Sequence, residues 1–244
     1  MNKRVLRTSL IAILLLSCSH GTVVIPPNEY GLPVVGQRRL YHRLVAADPA
    51  QVLVPVTQAD PNIRLDVRYA TTDNFMKTRL YPAPQAWARC EVALALARVQ
   101  SALEPRGIGL KVFDAYRPYS VTVAMWEPIR DPDFVADPAK GSRHNRGAAI
   151  DVTLVDLASG EELPMPTPYD DFTPAASHEA SDLPLAALQN RAILRTAMEA
   201  EGFEALSSEW WHYDYRGWEK FPLMNLSHSE LEPQRAACPA AEIP

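Results

Sequence analysis

The chain has 244 residues, 47% of them hydrophobic and 22% charged, the balance of a soluble globular protein with room for one good-sized core. Its net charge of -5 comes without a basic stripe or tail, so the electrostatic footprint of a nucleic-acid binder is missing and no nucleic-acid partner is expected. The 22 prolines are spread through segments such as VVIPPNEYGLP and LPMPTPYDDFTP without repeating, which predicts many fixed loops and no internal repeat.

At the N-terminus Lys3, Arg4 and Arg7 precede SLIAILLLS, an apolar run far short of the roughly 20 residues a membrane span needs. Residues 1–17 therefore read as an export signal. The run ends in LLLSC, which resembles the lipobox of bacterial lipoproteins, where the cysteine, here Cys18, carries the lipid. An ordinary signal peptide cut a few residues later is the alternative. Residues 18–50 mix Gly, Pro and polar residues without a period and read as a tether and N-terminal extension. Residues 51–230 are expected to form one domain and residues 231–244 a flexible tail. On this reading the protein is exported to the periplasm or cell envelope, meets membrane only through a lipid on Cys18, and needs no protein partner. Cys90 and Cys238 are separated compatibly with a disulfide and lack the close spacing of a zinc knuckle.

Within the domain, IRLDVRYATTDNF alternates Ile63, Leu65 and Val67 with polar residues, as a half-buried strand does. QAWARCEVALALARVQSALEPRG is rich in alanine and leucine at helical spacing and predicts a helix closed by Pro105 and Gly107. GLKVFDAY predicts a strand, and SVTVAMWEPI a helix whose β-branched residues weaken it. AAIDVTLVDLASGEELPM predicts a strand with Ile150, Val152 and Leu154 on one face and Asp151 and Thr153 on the other, then a turn and a return strand. After a proline-rich loop, PLAALQNRAILRTAMEAEGF predicts a helix ending at Gly202, and FEALSSEWWHYDY reads as strand material. The sum is an α+β domain with helices packed on a mostly antiparallel sheet.

His144 and Asp151 lie seven residues apart in SRHNRGAAID. Extended chain would separate them by roughly 23 Å at about 3.3 Å per residue, whereas ligands of one zinc sit about 2 Å from it. To share an ion the chain must fold back, and Gly147 is the residue that permits it. His212 closes EWWH with Glu209 three residues earlier. Two imidazoles and one carboxylate make a ligand set typical of catalytic zinc, with Glu209 left over as a base. Residues three apart in a regular strand face opposite sides, so this pairing needs a bend or bulge at Trp210 and Trp211. Arg117, just past a predicted strand and followed by Pro118, is placed to stabilise an oxyanion; a surface salt bridge is the plainer alternative.

Together SRHNRGAAIDVTL, SSEWWHYDY, FDAYRP and VRYATTDNF resemble the zinc D-alanyl-D-alanine dipeptidases, enzymes linked to vancomycin resistance and D-alanine recycling. The resemblance runs from about Asp60 to about Tyr215. It implies one zinc per chain held by His144, Asp151 and His212, Glu209 as catalytic base, and Arg117 steadying the tetrahedral intermediate. It also implies that Tyr69, Ser142 and Asp170 contact a small dipeptide substrate, Asp170 pairing with its ammonium; Asp171 is a second candidate for that task. The implied fold is the α+β domain shared with other cell-wall peptidases and the hedgehog signalling domain. Two features depart from the pattern: the export signal and the extra N-terminal residues. They leave room for a carboxypeptidase trimming D-alanine from peptidoglycan stems, or for a zinc-binding lipoprotein without catalysis.

Overall fold

A computed structural model describes residues 23–132 and 134–231; the export signal, Cys18, Cys238 and the predicted tail beyond Leu231 lie outside the described residues. In chain order the elements are β1 (Val34–Val35), α1 (Arg38–Ala47), β2 (Leu53–Pro55), α2 (Val56–Ala59), β3 (Arg64–Leu65), β4 (Trp87–Arg89), α3 (Cys90–Leu103), β5 (Ile108–Asp114), α4 (Tyr119–Ile129), β6 (Ala149–Asp156), α5 (Leu185–Ala200), β7 (Phe203–Ala205), β8 (His212–Tyr215), β9 (Leu223–Met224) and α6 (His228–Leu231). Five strands form the central sheet in the order β3-β5-β6-β8-β7. Only β3 and β5 run parallel in it; the other pairs are antiparallel, as the α+β reading requires.

The core explains which way the sheet faces. Ile150, Val152 and Leu154 of β6 share one apolar cluster with Val92, Leu96 and Val99 of α3 and with Leu194 and Met198 of α5. Strand parity then turns Asp151 to the opposite face, the one the helices leave open. Every residue from Ala149 to Val155 is buried, because β6 is the middle strand and loops cover that second face.

Four expectations are corrected by the fold. Residues 34–47 are not free tether: Val34 and Val35 pair with Leu223 and Met224, and Leu40, Tyr41, Leu44 and Val45 turn one face of α1 onto a second core containing Leu53, Trp87 and Tyr116. The half-buried strand predicted from Ile63, Leu65 and Val67 is only Arg64–Leu65, after which the chain tightens into a 3-10 turn, Arg68–Ala70. The alanine-rich helix begins at Cys90, because Trp87–Arg89 pair with β2 instead. The return strand after Gly160 is a single bridge, Val155 to Glu162; Pro164, Pro166 and Pro168 lack the N–H groups a ladder needs. Cys90 is buried and disulfide-bonded.

Arg89 is a buried cation, fully inaccessible and without a carboxylate partner among the described residues. Its guanidinium donates to the carbonyls of Gln51, Arg146 and Pro222 and lies 5.0 Å from the Phe221 ring centroid. Burial lowers its pKa to about 10, still charged at neutral pH. It thereby fastens the loop that carries His144 to strand β4.

Candidate active site

The loop SRHNRG is built to aim one histidine. His144 opens a 3-10 turn, His144–Arg146, that Gly147 ends in the left-handed region at φ 69°. A Cβ on Gly147 would also lie 2.5 Å from Leu53 Cδ2, so glycine is needed twice over. Asn145, wholly buried, donates to Arg117 O at 2.9 Å and Thr122 Oγ1 at 2.8 Å, and its Oδ1 accepts from Ser142 N at 2.9 Å. The His144 ring is set by Nδ1, 2.7 Å from Ala115 O, which directs Nε2 into the site.

Asp151 and His212 reach the same point by a different route, since they are directly paired across β6 and β8. His212 Nδ1 lies 3.0 Å from Asp151 Oδ1, His144 Nε2 lies 3.4 Å from that oxygen, and the two nitrogens are 3.2 Å apart. A tetrahedral ion with bonds of about 2.0–2.1 Å has ligand–ligand edges of roughly 3.3 Å. The three atoms therefore form one face of such a tetrahedron, and this is the one cluster with metal-binding spacing among the described residues. Burial alone would push the Asp151 carboxyl up, but His144 and His212 hold it far below the carboxylate range. Burial works against a charge on His212, yet Asp214 and Asp151 raise its pKa well above the imidazole value, so a metal ion competes with a proton for Nδ1.

Glu209 comes from a turn, not a strand. The chain leaves β7 at Ala205 and re-enters the sheet only at His212, so the predicted bend is a hairpin turn and strand parity never applies to Glu209. Its Oε2 stands 3.9 Å from His212 Nδ1. Burial pushes its carboxyl up to about 7, with His212 pulling the other way.

Arg117 is not a surface salt bridge. The register of β5 against β6 slips between Val112 and Asp114, a bulge that sets Asp114 opposite Asp151. Arg117 Nε and Nη2 donate to Asp114 Oδ2 at 2.9 and 2.8 Å, and Nη2 is 4.0 Å from Asp151 Oδ2. Burial opposes the charge, but Asp114 and the neighbouring tyrosines hold the pKa well above the guanidinium value.

A cavity of about 280 Å³ opens over these groups, lined among others by Tyr69, Arg117, Ser142, Asp170 and Glu209 and walled by Phe75, Phe134 and Phe172. Tyr69 OH donates to the Asp170 carboxyl, 3.1 Å from each oxygen, and Ser142 Oγ accepts from His144 N at 3.2 Å. Asp170 is a non-glycine residue at φ 60°, backbone strain of the kind found at working sites. Burial and Asp151 push its carboxyl well up, against Arg117 and Tyr69. Asp171, the other candidate, does not line this cavity.

The sequence reading missed three residues here. Tyr169 OH donates to Asp151 Oδ2 at 2.8 Å while its ring stacks on Phe113. Asp114 holds Arg117, and Asp214 accepts from His212 Nε2 at 3.0 Å. Their neighbours carried the only signal: Tyr169 precedes Asp170, Asp114 lies in FDAYRP, and Asp214 stands two residues past His212 on the same strand face.

Comparison with known proteins places this geometry. The D-ala-D-ala dipeptidase family, peptidase M15, matches residues 49–230. A D-alanyl-D-alanine dipeptidase of Escherichia coli (strain K12) is 33% identical over 172 residues, covering 70% of this chain and 89% of the relative. Enzymes of the same name from Enterococcus faecium and Streptomyces coelicolor are each 33% identical, over 174 and 171 residues, covering 63% and 62% of this chain and 86% and 85% of theirs. With the buried His-Asp-His cluster inside the matched segment, the chain belongs to the D-ala-D-ala dipeptidase family of metallopeptidases.

Proposed function

We propose that the protein hydrolyses the dipeptide D-alanyl-D-alanine to two molecules of D-alanine, using one zinc ion held by His144 Nε2, Asp151 Oδ1 and His212 Nδ1. The observation that carries this reading is the tetrahedral spacing of those three atoms with the Glu209 carboxyl beside them in a small cavity. Two nitrogens and one carboxylate suit zinc, which supplies Lewis acidity to the scissile carbonyl when bound.

The chain's own residues supply the rest. Glu209 takes a proton from the attacking water as its oxygen bonds to the carbonyl carbon, then delivers it to the amine nitrogen as the C–N bond breaks. Arg117, fixed by Asp114, faces the charge that develops on the carbonyl oxygen. Asp170, backed by Tyr69, receives the substrate's ammonium, and Ser142 lies at the rim. An arriving ammonium favours the ionised form of Asp170, opposing the burial and the Asp151 charge that push its carboxyl up. The signal in residues 1–17 and the LLLSC ending support export and a lipid on Cys18.

The test compares D-Ala-D-Ala with its N-acetylated form and with a pentapeptide stem ending in D-Ala-D-Ala. Removing the ammonium should lower kcat/KM roughly 10- to 100-fold, the worth of a hydrogen bond to a charged group. Equal cleavage of the capped dipeptide would sink the role of Asp170. D-Alanine released from the stem alone would favour the carboxypeptidase reading.

A further inference from the structure

Resting on the metal site just described, we infer that Asp214 is a positioning residue that fixes which nitrogen of His212 binds the ion. The two histidines use opposite ring atoms: His144 faces the cluster with Nε2, His212 with Nδ1. A ring nitrogen binds a cation only when it carries no proton, so each ring needs an acceptor on its far side to hold that proton away. For His144 the acceptor is the main-chain oxygen of Ala115, 2.7 Å from Nδ1. For His212 it is a side chain, Asp214 Oδ1, 3.0 Å from Nε2. Residues 212 and 214 share one face of β8, and Asp214 is paired in register with Ala149 of the central strand, so the sheet fixes the acceptor. Its other oxygen, Oδ2, is 3.5 Å from Arg143 Nε, and the Arg143 guanidinium in turn lies 4.9 Å from the Trp218 ring centroid. The carboxylate is thus anchored from behind and free to serve the imidazole in front. Carboxylates in this position make an imidazole a better ligand and orient its ring.

The experiment is competitive titration of zinc against a chromophoric chelator, with Co(II) absorption spectra, on wild type, Asp214→Ala, Asp214→Asn and Arg143→Ala. Asp214→Ala should weaken zinc binding roughly 10- to 100-fold and change the Co(II) bands. Asp214→Asn, whose amide oxygen can still accept from Nε2–H, should recover part of the loss. Arg143→Ala, which keeps the Asp214 to His212 bond, should stay within about threefold of wild type. Zinc affinity and Co(II) bands unchanged in Asp214→Ala would overturn the inference. So would equal weakening in Arg143→Ala, the mark of a strand anchor. A wild-type chain that binds no zinc would instead overturn the metal reading beneath it, and shows itself before any substitution is made.

Discussion

Glu209→Gln should keep its zinc and lose roughly 10³-fold in kcat on D-Ala-D-Ala, the scale of a lost general base. The amide has the shape of the acid and cannot take a proton. His144, Asp151 and His212 are untouched, so metal content should stay at the wild-type level. The same substitution should stabilise the metal-free protein. The folded-state pKa of about 7 lies above the ordinary carboxylate value. The unfolded chain therefore ionises Glu209 more readily, and stability falls as pH rises from about 4.3 to 7, then levels. At pH 8 the Gln variant should escape that cost, on the order of 3–4 kcal/mol. Wild-type kcat/KM should climb from acid pH as Glu209 deprotonates, with a midpoint no higher than about 7, since a bound cation favours the ionised form. Near-wild-type turnover in the Gln variant would refute the base assignment.

Arg117→Lys should fold, bind zinc and still lower kcat about 10²-fold, as expected when an oxyanion donor is misplaced. Lysine keeps the charge that Asp114 needs. It cannot, however, donate to Asp114 through two nitrogens while presenting a third to the cavity, as a planar guanidinium can. Arg117→Ala should cost stability as well, about 3–5 kcal/mol, because Asp114 is then a buried carboxylate without its cation. Thermal melts beside steady-state kinetics separate the two effects. Equal kcat in Arg117→Lys and wild type would leave Arg117 as a structural ion pair.

Much of this site was legible because its residues sit in short, chemically unusual segments. His144, Asp151, Glu209 and His212 were singled out by residue type and spacing and given their roles by the family resemblance, with Gly147 as the reversal, since only glycine takes that backbone angle easily. The strand face of Ile150, Val152 and Leu154 followed from period two, and the closing of α3 from Pro105 and Gly107. What stayed hidden depends on partners distant in sequence. The bulge at Phe113 that brings Asp114 to Asp151 has no local marker, and α1 packs because Trp87, Tyr116 and Met224 come together beneath it. The SSEWW stretch failed as a strand because a hairpin turn needs polar residues at its tip, and apolar Trp210 and Trp211 masked that tip by packing inward.

Metal content measured beside turnover tests the central claim most directly. The wild-type chain, stripped with a chelator and dialysed, should release no D-alanine from D-Ala-D-Ala, and one zinc per chain should restore the release of two D-alanines per dipeptide. Hydrolysis that persists in the metal-free chain would contradict the account, as would one bound zinc with no cleavage of D-Ala-D-Ala.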